Sequence, residues 1–183
     1  MRKILVLMAV CILFGSAYPF YDYMLILPPV DTVIFNRWQE TETKLDPVPP
    51  RRSVPEAYHT IFAVTSELYG IPPGVLESIA FVESGYRAGA ISPVRQSGHS
   101  DLGMFQFNAL FIEWYADQYN GGVMFDPFSP IQAIHIAARH ITFLYRRYGN
   151  WMDTLLAYNC GMNRVENDKI PESAWDYLRK IYQ

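Results

Sequence analysis

Glu83 is the side chain in this sequence best placed to move a proton. It sits in the stretch SIAFVESGYR, residues 78–87, with Leu76, Ile79 and Ala80 seven, four and three positions before it. That spacing puts all four side chains on one stripe of an α-helix. A carboxylate among apolar neighbours is costly to ionise, and the negative end of the helix dipole adds to the cost. Both effects raise its pKa. A carboxylic acid still protonated near neutral pH can donate a proton to a leaving oxygen. The competing reading is a structural glutamate bonded to loop backbone, and position alone leaves both open.

The helix carrying Glu83 follows Pro72-Pro73 and ends near Ser84-Gly85. Ahead of it, Ser53-Val54-Pro55-Glu56 predicts a helix start with Ser53 as cap, proline in the first turn and Glu56 closing a capping box. That helix runs to Tyr69, with Gly70 as its stop. Residues 85–103, rich in Gly, Ser and Pro, read as a long loop. Asn108 can cap a helix through about Tyr119, ended by Asn120-Gly121-Gly122. Ser129-Pro130 opens the clearest helix: Ile131, Ile134, Ala137, Ala138, Ile141, Leu144 and Tyr145 fall three or four apart, and Gly149 closes it. Residues 151–157 and 172–181 predict two shorter helices. With few β-branched alternations and no internal repeat, the fold class is all-α, with functional residues in the loops between helices.

The chain has 183 residues, of which 50% are hydrophobic and 15% aromatic, including 13 tyrosines and 4 tryptophans. Such rings line sugar-binding clefts but also fill ordinary cores. A net charge of −3 provides no broad basic surface, which argues against nucleic acid as a partner. Arg2 and Lys3 precede the apolar run Ile4 to Phe14 and the small residues Gly15-Ser16-Ala17, so residues 1–17 read as a signal peptide. The run is short for a membrane span, although the apolar Tyr21 to Val30 leaves an uncleaved anchor open. The expected location is therefore periplasmic or secreted. Residues 18–53, with Pro28-Pro29 and TETKLDPVPPRR, read as a tether, and residues 54–183 as the functional domain. Cleavage leaves Cys160 as the single cysteine, so no internal disulfide is expected. His135 and His140 are five apart, not the i, i+4 pair of a zinc helix, and His59 and His99 lie far off. A satisfied or exposed histidine is the reading for each; no metal and no cofactor are expected.

Four motifs in order narrow the function. Ile79 to Ser84, followed by Ala90-Ile91-Ser92-Pro93, resembles the first signature of the soluble lytic transglycosylase (SLT) family, whose fold is lysozyme-like. Gly103-Met104-Phe105-Gln106-Phe107-Asn108 resembles the family's Gly-Leu-Met-Gln block, in a Phe-Gln-x-Asn form similar to branches found with phage and secretion systems. Ala157-Tyr158-Asn159-Cys160-Gly161 is similar to the usual Ala-Tyr-Asn-Ala-Gly. Ile170-Pro171 and Tyr177-Leu178 resemble the segment that closes the domain. The resemblance covers residues 54–183.

The resemblance implies cleavage of the β-1,4 bond between N-acetylmuramic acid and N-acetylglucosamine in peptidoglycan strands. In it, Glu83 is the acid on the glycosidic oxygen and then the base on the sugar's own 6-hydroxyl, closing a 1,6-anhydro ring. No second carboxylate is required, unlike the usual glycosidase pair. Ser92 is implied near the acid and the sugar, Gln106 as a hydrogen-bond partner of substrate, Asn108 in a nearby cleft position, Tyr158 and Asn159 in the wall beside the acid, and Tyr177 as the residue orienting it. Without the resemblance, Tyr158 and Tyr177 pass for core residues, Asn159 for a helix cap and Gln106 for a surface amide. Cell-envelope or secretion machinery is the implied partner, and the expected state is a monomer.

Two departures from the family pattern stand out. The interval from Glu83 to Gly103 is longer than usual, so Arg95 to Asp101 reads as an inserted loop with Asp101 a solvated aspartate on it. Should Asp101 hold a water near the anomeric carbon, the reaction becomes hydrolysis, as in goose-type lysozyme. Cys160 replaces alanine, as a small packing residue or a reactive thiol. A non-catalytic glycan-binding module is the remaining alternative, and Glu83 argues against it, because binding gains little from a buried acid.

Overall fold

The computed structural model describes residues 54–95 and 98–183; the expected signal peptide, the tether and Ser53 lie outside the described residues. Helix α1 spans Glu56–Tyr69 and α2 Val75–Ser84. A two-residue strand β1, Asp101–Leu102, pairs antiparallel with β2, Phe107–Asn108. A 3-10 turn, Ala109–Phe111, leads into α3, Ile112–Tyr119. Then come α4 (Pro130–Tyr148), α5 (Trp151–Cys160), α6 (Met162–Glu166) and α7 (Glu172–Ile181). The all-α expectation holds, with one small hairpin added.

Helix α4 is the axis of the domain. Its stripe of Ala133, Ile134, Ala137, Ala138, Ile141 and Leu144 is fully buried, and α1, α3 and α5 pack around it. Each fully buried Ile or Leu contributes roughly 1.5–3 kcal/mol of transfer free energy, and the alanines let neighbouring helices approach closely. Ile131, expected on that stripe, is instead exposed, although Ala133 and Ile134 just beyond it are fully buried. Gly149 ends α4 in the left-handed conformation. Immediately beyond it, Trp151 stacks against Tyr145 at 4.5 Å between ring centroids.

Helix α7 bridges α5 and α2, burying Ala174, Tyr177 and Ile181. Its contact with α2 brings Tyr177 to the end of the helix that carries Glu83. The start of α1 differs from expectation: Pro55 is the capping residue, extended at φ −59° and ψ 135°, and no side chain caps the helix. Pro55 supplies its carbonyl to Tyr58 N–H instead. Residues 85–95 and 98–103 do not form a free loop, since Ile91 bridges to Leu102 and β1 pairs with β2. No helix among the described residues is long and apolar enough to cross a membrane.

Candidate active site

Glu83 is the penultimate residue of α2, which ends at Gly85 in the left-handed conformation. The glutamate is partly exposed, yet its carboxyl is enclosed closely enough that burial dominates its chemistry. Its pKa is raised from 4.5 to about 7, chiefly by desolvation. An interaction with the Tyr177 hydroxyl pulls the value down, the negative charge of Asp101 pushes it up, and Arg95 pulls it down. The Tyr177 hydroxyl is itself buried and makes no hydrogen bond of full geometry. It therefore approaches the carboxyl without being locked to it. Burial first, and Glu83 second, hold the Tyr177 phenol far above its ordinary pKa.

The Gly103–Asn108 block forms a tight turn beside the end of α2. Gly103 has φ +74°, and a Cβ there would lie 1.9 Å from the Pro127 carbonyl oxygen. Only glycine fits, for backbone conformation and space alike. Gln106 adopts φ +50°, uncommon for a residue with a side chain and a form of strain that gathers at functional sites. Its Nε2 donates to the Gly103 carbonyl at 2.8 Å. That bond fixes the amide and leaves its oxygen free to accept from a ligand. Ser84 Oγ donates to the Met104 carbonyl at 2.8 Å, fastening this turn to α2. Tyr158 on α5 donates its hydroxyl to the Phe105 carbonyl at 3.0 Å, fastening it from the other side.

Asp101 is not the solvated loop residue its surroundings in the sequence suggest. Its side chain is 5% exposed and ion-paired with Arg95, whose own side chain is 63% exposed. Asn108 Nδ2, its partner across the hairpin, donates to Asp101 Oδ1 at 3.0 Å. Ser92 binds the backbone of the same residue twice: its N–H donates to the Asp101 carbonyl at 3.0 Å, and its Oγ accepts from Asp101 N–H at 2.8 Å. Two positions expected to line the site, Ser92 and Asn108, are therefore tied to Asp101, which was expected in solvent. Asn108 is held at both ends of its amide, since its Oδ1 also accepts from Leu110 N–H at 3.0 Å.

Behind the carboxylates lies an aromatic wall. Tyr115 on α3 and Tyr158 both feel the charges of Glu83 and Asp101, and burial raises both phenols above their ordinary pKa. His140 packs against Tyr115 and Tyr158, at 5.2 and 5.6 Å between ring centroids. Burial lowers its pKa to about 3, so it is neutral, and its Nδ1 is hydrogen-bonded to the Tyr119 hydroxyl at 2.8 Å. It is the satisfied histidine the sequence suggests. His135 is not: its Nδ1 is buried without a partner. Among the described residues, no three acidic, histidine or cysteine side chains gather closely enough to hold a metal.

The structure thus brings Glu83, Tyr177, Tyr158, Ser92, Gln106 and Asn108 around one site, while Asn159 stands exposed on the last turn of α5. Sequence reasoning missed Ser84, Arg95 and Tyr115. Ser84 adjoins the acid and was open to notice. Nothing in sequence separates Tyr115 from the neighbouring rings.

Comparison with known proteins agrees with this geometry. Residues 60–176 match the family described as Transglycosylase SLT domain. The chain is 27% identical over 115 residues to Protein IpgF of Shigella flexneri, covering 62% of this chain and 74% of that protein. The Protein IpgF of Shigella sonnei matches with the same identity and coverage. It is also 27% identical over 120 residues to Peptidoglycan transglycosylase gp16 of Escherichia phage T7, covering 65% of this chain but 9% of the phage protein. No solved structure matches at a significant level. With most of its length matched by the family, and an enclosed glutamate at the end of α2 held against the turn of the second motif, the chain belongs to the SLT transglycosylase family and is a lytic transglycosylase.

Proposed function

We propose that this enzyme cleaves the β-1,4 bond between N-acetylmuramic acid and N-acetylglucosamine in peptidoglycan and leaves a 1,6-anhydro ring on the muramic acid. The observation that carries the reading is Glu83: partly exposed, with a pKa of about 7 and the Tyr177 hydroxyl at its carboxyl. Near neutral pH such a group is divided between acid and base, as a residue that must first give and then take a proton requires. In the first step Glu83 protonates the glycosidic oxygen as the bond to the anomeric carbon breaks. In the second, the ionised Glu83 takes the proton of the 6-hydroxyl while that oxygen bonds to the anomeric carbon. Glu83 ends as it began. The Tyr177 hydroxyl favours the ionised form and so supports the carboxylate between the steps.

The expected export signal in residues 1–17 and the Phe-Gln-x-Asn motif support a role in the cell envelope, where local opening of the wall admits a larger assembly. Digestion of purified peptidoglycan followed by mass analysis of the muropeptides tests the reaction. Products lighter by one water than hydrolysed ones support ring closure. Products ending only in reducing muramic acid overturn it.

A further inference from the structure

Asp101 poses a problem that Glu83 does not. A second buried carboxylate within electrostatic reach of the acid is what a hydrolytic glycosidase uses to hold its water, yet the reaction proposed above needs none. The surroundings of Asp101 resolve this. Both of its oxygens have a protein partner, Oδ1 with Asn108 and Oδ2 with Arg95. Ser92 pins its backbone from both directions. With 5% of the side chain exposed and a partner on each oxygen, the carboxylate offers little surface to a bound water while both partners stay. The partners are not equally fixed. Asn108 is held by β2 and by its cap of the 3-10 turn, whereas Arg95 reaches in from a side chain that is 63% exposed.

We propose that Arg95 is a specificity-determining residue: by occupying the outer oxygen of Asp101 it denies water the base that hydrolysis requires, and so commits the glycosyl cation to its own 6-hydroxyl. This rests on the ring-closing reading above. In the excluded reaction, Glu83 would protonate the leaving oxygen and water would bond to the anomeric carbon as its proton passed to Asp101. In the retained reaction the 6-hydroxyl forms that bond and its proton passes to Glu83. The two carboxylates are thus alternative bases for one cation, and the guanidinium decides between them. Arg95 touches neither sugar oxygen in this scheme; it acts through Asp101. The other ionisable groups facing the pair, Tyr115, Tyr158 and Tyr177, have pKa values raised by burial and remain neutral, so none can replace the cation.

The test is the partition of products in water labelled with heavy oxygen, with peptidoglycan digested by the wild type, Arg95→Ala, Arg95→Lys and the double variant Arg95→Ala with Asp101→Asn. The wild type should release unlabelled anhydro ends. Arg95→Ala should raise the labelled, reducing-end fraction by about tenfold or more; Arg95→Lys should restore the wild-type partition, and the double variant should lose the label again. A purely structural arginine would slow all products together and leave their ratio unchanged. An anhydro-forming wild type whose partition is unaltered in Arg95→Ala overturns the proposal, as does label that persists in the double variant. A wild type that itself releases only labelled ends overturns the ring-closing reading and the proposal together. Arg95→Ala strands the buried Asp101 carboxylate and should melt below wild type; the product ratio, which does not depend on how much enzyme is folded, is read below that melting temperature.

Discussion

Ser84 Oγ donates to the Met104 carbonyl at 2.8 Å, so the residue next to the acid is fastened to the turn that carries Gln106. The same oxygen accepts from Arg87 N–H at 3.1 Å, and Ser84 is buried. One hydroxyl thereby links the end of α2, the chain leaving it and the Gly103–Asn108 turn. Ser84→Ala should cost about 1–3 kcal/mol, because it strands a buried carbonyl and an N–H. Its larger effect should be on kcat. A small displacement of Glu83 from its working position costs about tenfold to a hundredfold, whereas KM should change little. Denaturant unfolding and steady-state kinetics on the same preparation separate the two effects.

Gly103 makes a sharper prediction. At φ +74° with the Pro127 oxygen 1.9 Å from where a Cβ would stand, Gly103→Ala must move backbone, not a flexible side chain. A loss of about 3–5 kcal/mol is expected, read from urea or thermal unfolding. A variant of wild-type stability would mean that the turn is held less tightly than its contacts imply.

Cys160 should prove dispensable. The side chain is partly buried, and burial raises its thiol pKa, with Arg164 opposing, so the reactive thiolate is scarce at neutral pH. Cys160→Ala should lose less than about tenfold in kcat/KM, which is about 1.4 kcal/mol of transition-state stabilisation. A larger fall would assign the thiol a role in the site.

Much of the fold was legible because local signals agreed with tertiary packing. Helix α4 had its Ser129-Pro130 start, its apolar period and its Gly149 stop, and these hold except for Ile131 at the head of the stripe. Helix α6 was missed because five residues carry neither a period nor a cap. The hairpin was missed for a related reason: a strand of two residues has no alternation to detect. Asp101 shows the deeper limit. A Gly- and Ser-rich neighbourhood implies solvent, but burial there is created by Asn108 and Ser92, seven and nine residues away, through pairing that no window along the chain reveals. Glu83 was legible because its helical stripe and its motif pointed the same way.

The pH dependence follows from Glu83 and Tyr177. The first step needs protonated Glu83, so kcat/KM should fall as pH rises past about 7. The Tyr177 hydroxyl favours the ionised form, and Tyr177→Phe should move that alkaline limb upward while lowering kcat, because the intermediate carboxylate loses its donor. The variant should cost little stability, since the hydroxyl has no hydrogen bond of full geometry to lose. A limb that stays in place would separate Tyr177 from the acid.

Glu83→Gln carries the most weight, because it predicts opposite changes in stability and in activity. A glutamine can neither give the proton nor take one back, so muropeptide release should fall by about two to four orders of magnitude, while retention on peptidoglycan persists. Stability should move the other way, and only above a certain pH. Folding raises the Glu83 pKa from 4.5 to about 7, so the folded state binds the proton more tightly than the unfolded one. Below about pH 4.5 both states are protonated and Glu83 costs nothing through ionisation. As pH rises through the window from 4.5 to 7, the unfolded chain releases its proton first, and the wild type is destabilised progressively by up to about 3 kcal/mol. Glutamine does not titrate and escapes that cost. The variant should therefore gain in Tm relative to wild type as pH rises from 4.5 to 7, with the difference constant above about 8. Melting curves across that range, beside muropeptide assays at pH 6, check both halves. A flat difference in Tm would show that the carboxyl is not enclosed, and an active variant would move the acid elsewhere.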